Sequence, residues 1–182
     1  MYSHPQAIID FWFDEESKRR WAAKSNYFDA QIRALFMETW QAASAGELWE
    51  WRNTQQGRLA EVIVLDQFSR HLFRGKPEAY AQDKMALILA QEAVRQSSFA
   101  RMEVEQRYVL LLPFMHSESR AIHAHAVNLF ERYTTPEAVD LEMKHKVIID
   151  HFGRFPSRNH ILGRQNTEQE TAFLNQSAAQ AG

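Results

Sequence analysis

RLAEVIVLDQFSRHLF, residues 58–73, decides the fold, because as a helix it is apolar on every side. At about 100° per residue, its large apolar side chains fall on two opposite arcs. They are Leu59, Ile63 and Phe73 on one arc, and Val64, Leu65, Phe68 and Leu72 on the other. A helix that is apolar all round is buried by its neighbours. The stretch therefore predicts a central helix inside a packed core.

Charged residues interrupt this apolar helix. Asp66, Arg70 and Arg74 fall within about 80° of arc, among the apolar residues of the first side. A charge taken out of water costs several kcal/mol unless it is paired. In one interpretation, Asp66 and Arg70 form an ion pair that pins neighbouring helices. In the other, Asp66 orients Arg70, and Arg70 and Arg74 face an anion.

The rest of the chain also carries helix signals, and no alternation of apolar and polar residues is long enough to predict a strand. Predicted N-terminal caps are Ser3 with Gln6, Ser117 or Ser119, Thr135, and Thr167 with Glu170. Another helical face is predicted to run from Ser25. Pro113 is expected to end or kink its helix. A further helix is predicted from Pro77 to about Gln96, and a closing one to about Leu174. We expect an all-α fold of about eight or nine helices in antiparallel pairs.

Length and composition describe one globular domain. We expect it to cover residues 1–182, with a core of about 5–174 and a frayed tail at 175–182. The net charge of −2 provides no general field for nucleic acid or an anionic membrane, so neither partner is expected. The longest apolar run, residues 108–115, is far short of the ~20 residues that span a bilayer.

Cysteine is absent, which excludes disulfides, thiolate metal ligands and a cysteine nucleophile. The first residues lack a basic segment followed by a long apolar one, so no secretory signal is expected. A cytoplasmic location suits both features. The sequence also lacks a phosphate-binding glycine loop and any metal-ligand signature, so no cofactor and no metal are predicted.

Histidines mark two further segments. In the helix predicted from Pro136 to Phe152, His145 lies near the centre of an apolar face, either as a satisfied core residue or as a proton-transfer group. At residues 115–119, MHSES, Ser117 and Glu118 suit a helix start. His116 and Glu118 at this junction are alternatively candidates for proton transfer. His123 and His125 flank the next apolar stripe and are predicted to be surface residues.

A loop rich in arginine follows. HFGRFPSRNHILGR, residues 151–164, is called here the Arg loop; it combines three arginines with apolar anchors, so it is expected to pack on the core. In one interpretation, Arg154, Arg158 and Arg164 clamp the tail by pairing with acids or helix ends. In the other, Arg154, Arg158 and Asn159 hold a phosphate or carboxylate, for which guanidinium forks are well suited.

Five segments carry a family resemblance. They are FWF (11–13), AGELWEW (45–51), LDQFSRHLFRG (65–75), PFMHSES (113–119) and FGRFPSRNHILGR (152–164). Together they resemble the bacterial family called domain of unknown function 924, from about Ile8 to Leu174, with Ser157 where His is expected. The resemblance implies helices stacked as a tetratricopeptide-like right-handed superhelix, and it brings no established activity or catalytic residue.

These observations lead to one hypothesis and one alternative. The hypothesis is a pocket for a small anionic ligand, with catalysis left open, provided that the candidates converge in one hollow. The ligand-binding candidates are Asp66, Arg70, Arg74, Arg154, Arg158 and Asn159, and the proton-transfer candidates are His116, Glu118 and His145. The alternative is a tetratricopeptide-like module that binds a peptide or its terminus, with Trp49 or Trp51 as an aromatic anchor. No oligomeric state is predicted.

Overall fold

The computed structural model describes residues 2–21 and 23–180, with side chains up to residue 176. Within these ranges the chain is helical and contains no strand, which confirms the all-α prediction. The α-helices are α1 (Pro5–Phe13), α2 (Glu15–Lys18), α3 (Asn26–Ser44), α4 (Gln55–Val62), α5 (Ser69–Leu72), α6 (Asp83–Val94), α7 (Val104–Met115), α8 (Arg120–Tyr133), α9 (Pro136–Phe152) and α10 (Glu168–Gln180). None of those described is both long and apolar enough to cross a membrane.

Helices α4 and α5 form one continuous central helix, joined by a π-helical turn at Ile63–Phe68. Helices α1, α3, α6 and α7 pack around it. Every residue from 59 to 69 is buried, which confirms the prediction from the apolar circumference. The central helix starts at Gln55, before the predicted Arg58, because the hydroxyl of Thr54 accepts a hydrogen bond from the amide of Gly57 at 3.0 Å.

The π turn gives the central helix its polar features. A π turn pairs each amide with the carbonyl five residues back, which releases carbonyls for side chains. The Leu65 carbonyl accepts from Ser69 Oγ at 2.5 Å, and the Asp66 carbonyl accepts from Arg70 Nη1 at 2.7 Å. The predicted arcs assumed a regular helix, so their register fails beyond Phe68. Arg74 lies past the end of α5 at Leu72.

The second half of the chain is a succession of packed helices. Helix α6 packs on α7, α7 on α8, and α8 on α9, as expected where short connections join neighbours. The buried apolar cluster includes residues from Ile8 to Ala138. The tetratricopeptide-like superhelix that the resemblance implies stays a prediction, as does the single domain over residues 1–182.

Proline does not end α7, so of the two predicted outcomes, an end or a kink, the end is wrong. The helix continues through Pro113 to Met115, and every residue from 109 to 115 is buried. A proline inside a helix costs about 3 kcal/mol, and the packing of this apolar end against the core offsets that cost. Pro77 behaves differently from expectation as well, because it opens a 3-10 turn at Pro77–Tyr80 that is separate from α6.

Several helix ends agree with the predicted signals, and others differ. Ser25, Ser119 and Thr135 cap α3, α8 and α9, whereas α1 is capped by His4 in place of the predicted Ser3. Gly153 ends α9 with a φ of +74°, a left-handed conformation that favours glycine.

The last helix is opened by the predicted capping box. The amide of Thr167 donates to Glu170 Oε2 at 2.8 Å, and the amide of Glu170 donates to Thr167 Oγ1 at 3.1 Å. Helix α10 extends past Leu174 to Gln180, because alanine and glutamine favour helix. The end of the predicted frayed tail, residues 181 and 182, lies outside the described residues.

Candidate functional site

A hollow of about 430 Å³, called here the His116 pocket, opens where α6, the α7–α8 junction and the Arg loop meet. Most of its wall is apolar, and its apolar side chains are Pro77, Tyr80, Leu87, Ile122 and Leu162. The polar side chains of its wall are Asp83, Lys84, His116, Ser117, Glu118, Ser119 and Arg158. The volume lies within the range of about 300–1,000 Å³ that is common for small-molecule sites.

His116 is held by a buried carboxylate. It follows the last residue of α7, and its Nδ1 lies 2.9 and 3.0 Å from the two carboxylate oxygens of Asp66. Asp66 itself is fully buried in the π turn. Because a carboxylate only accepts hydrogen bonds, Nδ1 carries the proton and Nε2 of the neutral ring is an acceptor. Nε2 makes no hydrogen bond within the described part of the chain.

The surroundings of the pair fix its charge state. Burial alone would raise the pKa of the Asp66 carboxyl, but the charge of Arg70 and the hydrogen bonds that it accepts hold that pKa well below its usual range. Burial and the charge of Arg70 lower the pKa of the His116 imidazole, although Asp66 opposes them. At neutral pH the pair is therefore a carboxylate beside a neutral imidazole, which suits a general base.

The guanidinium of Arg158 lies in the pocket wall, and Asp83 neutralises its charge only in part. Its Nη2 donates to the His116 carbonyl at 3.0 Å, and its Nη1 lies 3.4 Å from Asp83 Oδ2. The guanidinium stacks between the rings of Tyr80 and Phe155, with centroids at 4.7 and 4.5 Å. Burial in this apolar sandwich lowers the pKa of Arg158, which means that its charge gains from an additional anion.

Arg70 is fully engaged by acids and faces a different hollow. It makes two hydrogen bonds to Asp83, at 3.0 and 3.1 Å, and an ion pair with Asp66 at 3.1 Å. The predicted Asp66–Arg70 pair is therefore present. Arg70 lines a second hollow of about 260 Å³ together with Arg74, and Tyr80 contributes to the walls of both hollows.

Glu118 holds the Arg loop in place. Its oxygens accept from Arg164 at 2.6 and 2.9 Å and from the amide of Phe155 at 2.7 Å. Burial would raise the pKa of Glu118, but the hydrogen bonds from Arg164 and Phe155 lower it, so this carboxyl is ionised at neutral pH. Asp66, rather than Glu118, orients His116.

The remaining candidates lie away from the pocket, so the condition that all of the candidates converge in one hollow is not met. Arg74 pairs with Asp29 at 2.7 and 2.8 Å. His145 Nδ1 lies 2.7 Å from the carbonyl of Leu141, one turn back on α9. The spacing of residues could not show the partner of Arg74, because Asp29 lies on the distant helix α3.

Two candidates of the Arg loop serve as a clamp. Arg154 makes two hydrogen bonds to Glu170, at 2.7 and 2.8 Å, which fastens α10 to the loop as the alternative interpretation predicted. Asn159 is fully buried and bonds to Asn166 and Arg164, both at 2.8 Å. The 3-10 turn at Pro156–Arg158 lies between Arg154 and Asn159. Arg158 alone among the loop's arginines lines the pocket.

His123 is buried, contrary to the prediction of a surface residue, whereas His125 is exposed as predicted. Nδ1 of His123 lies 2.7 Å from Glu142 Oε1, and Nε2 lies 2.8 Å from the carbonyl of Ser117. Helix α9 covers this side of α8 and brings Glu142 to the histidine. Asp83 and Tyr80 were missed as well, because nothing in their local sequence shows that α6 faces the Arg loop.

Comparison with known proteins identifies relatives without a described activity. The family model for "Bacterial protein of unknown function (DUF924)" matches residues 8–178. A solved structure of a protein of unknown function from Agrobacterium tumefaciens is 32% identical, with a TM-score of 0.89, over 94% of this chain and 97% of that chain. No curated protein matches the chain. The family resemblance is therefore confirmed.

Proposed function

This chain belongs to the DUF924 family of bacterial proteins of unknown function, and we propose that it binds a small anionic molecule in the His116 pocket and transfers a proton there. One observation carries the proposal. A histidine oriented by a fully buried carboxylate lines a hollow of about 430 Å³ with its second ring nitrogen unpartnered in the described chain. Since the described protein does not bind this nitrogen, it is available to a molecule that enters the hollow.

Arg158 is the anion-binding group in this proposal. Among the described residues it has one ion pair, to Asp83 at 3.4 Å, and its guanidinium also lies over the rings of Tyr80 and Phe155. The exposed Lys84 at the pocket wall and the start of α8 at Ser119 add positive potential. An anion beside Arg158 also lies near His116, because Arg158 donates to the carbonyl of that residue.

His116 is the proton-transfer group. Asp66 fixes the ring with Nε2 unprotonated, so Nε2 accepts a proton from a bound molecule and returns it later, while Asp66 stabilises the imidazolium. Arg70 supports this role indirectly, because it holds Asp66 ionised and is itself held by Asp83. Asp66 and Arg70 are therefore positioning residues.

The test is a thermal-shift screen with small carboxylates and phosphate esters. We expect at least one of these anions to raise the melting temperature of the wild-type protein, and Arg158→Gln to abolish that rise. Arg154→Gln is the matched control, since it removes a guanidinium from the same loop but only from the clamp with Glu170. It should lower the melting temperature of the free protein and leave the anion-dependent rise intact.

The opposite pattern contradicts the proposal. If Arg154→Gln removes the ligand effect and Arg158→Gln preserves it, the anion binds elsewhere on the loop. If no anion in the panel stabilises the wild-type protein, the His116 pocket is not an anion site.

Exposure of Trp49 favours a second candidate, a peptide-binding module. This side chain is 62% exposed, whereas Trp51 is only 8% exposed and cannot anchor a partner as predicted. A peptide-display selection tests it, with Trp49→Ala expected to abolish binding and Leu35→Ala, another exposed apolar residue, to preserve it. Equal loss in both variants would indicate nonspecific adhesion.

A further inference from the structure

We infer that the ligand of the His116 pocket is a monocarboxylate on an apolar body, and that its binding brings one proton onto His116. The inference rests on the proposed function, since it specifies which anion the same pocket takes. It is carried by three features of the site. They are the balance of charges around His116, the hydrogen-bonding roles of its two ring nitrogens, and the apolar wall of the pocket.

The charged groups at His116 and in its pocket wall balance one another when their direct ion-pair partners are included. They are Asp66 and Arg70 from the central helix, Asp83 from α6, Glu118 from the α7–α8 junction, and Arg158 and Arg164 from the Arg loop. These are three carboxylates and three guanidiniums, all of them partly or fully buried. The other titratable groups at the wall are Tyr80 of the 3-10 turn and the exposed Lys84, whose charge is screened by solvent. With a neutral His116, the six buried or partly buried groups have no excess charge for an incoming anion.

Balance therefore limits the charge of the ligand. A monoanion that arrives with one proton adds no net charge to these three carboxylates and three guanidiniums. Its binding therefore avoids the cost of an uncompensated charge. A phosphate monoester, with close to two negative charges at neutral pH, leaves an excess that one protonation of His116 cannot remove. Carboxylate chemistry is therefore favoured over phosphate chemistry.

The ring of His116 provides the place for the proton. Asp66 takes the Nδ1 hydrogen, so Nε2 of the neutral ring can only accept a hydrogen bond. A carboxylate oxygen also only accepts, and the two atoms can meet only if a proton lies between them. The proton moves from solvent, or from the acid form of the ligand, to Nε2, and no covalent bond is formed or broken in the ligand.

The apolar wall predicts the rest of the molecule. Pro77, Leu87, Ile122, Leu162 and the ring of Tyr80 form much of the pocket surface. Burying an alkyl chain against such a wall strengthens binding by about fourfold per methylene. A short, fully polar anion forgoes this contribution and should bind much more weakly than one with an alkyl or aryl chain.

Calorimetric titration of the full-length protein with octanoate tests the inference. Titrations at pH 7.5 in two buffers of different ionisation enthalpy report proton uptake, which we expect to be about one proton per octanoate. His116→Gln should abolish this uptake and weaken binding by about 10- to 100-fold, the loss of one charge-assisted hydrogen bond. The buffer comparison on the wild-type protein needs no variant, so it stands even if His116→Gln fails to fold.

Two further probes separate this inference from the proposed function. We expect octyl phosphate and acetate both to bind more weakly than octanoate. Tighter binding of octyl phosphate, or octanoate binding without proton uptake, overturns the inference but leaves an anion site at Arg158. Acetate binding as tightly as octanoate overturns the apolar body. Failure of all three anions to bind overturns the inference and the proposed function together.

Discussion

Two histidine–carboxylate pairs meet at the loop MHSES, residues 115–119, and they differ in what the second nitrogen of the histidine contacts. Asp66–His116 and Glu142–His123 are similar in length, at 2.9 and 2.7 Å. The side chain of His116 is 17% exposed and lines a pocket, whereas that of His123 is fully buried and donates through Nε2 to the carbonyl of Ser117. Access to the second nitrogen, rather than the pair itself, decides whether such a histidine can act on a ligand.

The fully buried pair Glu142–His123, called here the sealed pair, has a structural role. The pair Asp66–His116, called here the open pair, lacks that role. Since a carbonyl only accepts, Nε2 of His123 must be protonated, and one further proton lies between Nδ1 and Glu142 Oε1. Glu142 Oε2 has no hydrogen-bond partner within the described residues. The pair therefore depends strongly on the contact between Nδ1 and Oε1. His123 holds the loop MHSES through its other nitrogen, by the hydrogen bond from Nε2 to the carbonyl of Ser117.

The largest expected effect comes from breaking the sealed pair. His123→Ala leaves Glu142 buried and unpartnered, so it should lower the free energy of unfolding by about 3–5 kcal/mol, measured by urea unfolding. His125→Ala, on the exposed face of the same helix, is the control and should change it by less than about 0.5 kcal/mol. Similar losses in both variants would mean that the sealed pair adds no more to the free energy of unfolding than an exposed histidine does.

A double-mutant cycle sharpens the same point. Replacing His123 and Glu142 together by leucine removes both polar groups, and it should destabilise the protein less than the sum of the single changes, by about 1–3 kcal/mol. Urea unfolding of the four proteins gives this coupling. Additive losses would show that the two side chains do not depend on each other.

The open pair should matter less for stability. In His116→Ala, Asp66 keeps Arg70 and Gln67 as partners, so the expected loss is about 1–2 kcal/mol, below that of His123→Ala. Urea unfolding under the same conditions gives the ranking. The contrast between the two pairs fails if His116→Ala proves the more damaging substitution.

The smallest effect is on the pH dependence of stability. The pKa of His116 is lowered on folding, so the unfolded chain binds more protons as the pH falls below about 6.5, and stability then decreases. Above that pH the contribution is constant. His116→Gln should flatten the curve of unfolding free energy between about pH 6.5 and 5 relative to the wild type. His71, whose pKa is also lowered by burial, is present in both proteins and cancels in the comparison.

The sequence predicted the central helix well, because a helix that is apolar on every side is buried. It predicted the Asp66–Arg70 pair as well, because a charge within such a helix needs a partner. It also predicted the clamp of Arg154 as one of two interpretations. It did not predict the burial of His123, since the residue that covers it, Glu142, lies on the next helix. Nor did it predict Asp83 as the acid that separates Arg70 from the pocket. Both failures concern which faces of distant helices meet, a matter that local periodicity does not encode.

The π turn at Ile63–Phe68 makes the number of residues in the central helix as important as their identity. A π turn accommodates one residue more than an α turn, so deleting a single residue there allows a regular helix. Because the π turn absorbs this residue within one turn, the deletion leaves Arg70 facing Asp83. Deleting a residue of α4 instead, where the helix is regular, rotates everything after it by about 100° around the helix axis. Arg70 would then turn away from Asp83, although no side chain near the pocket had been substituted.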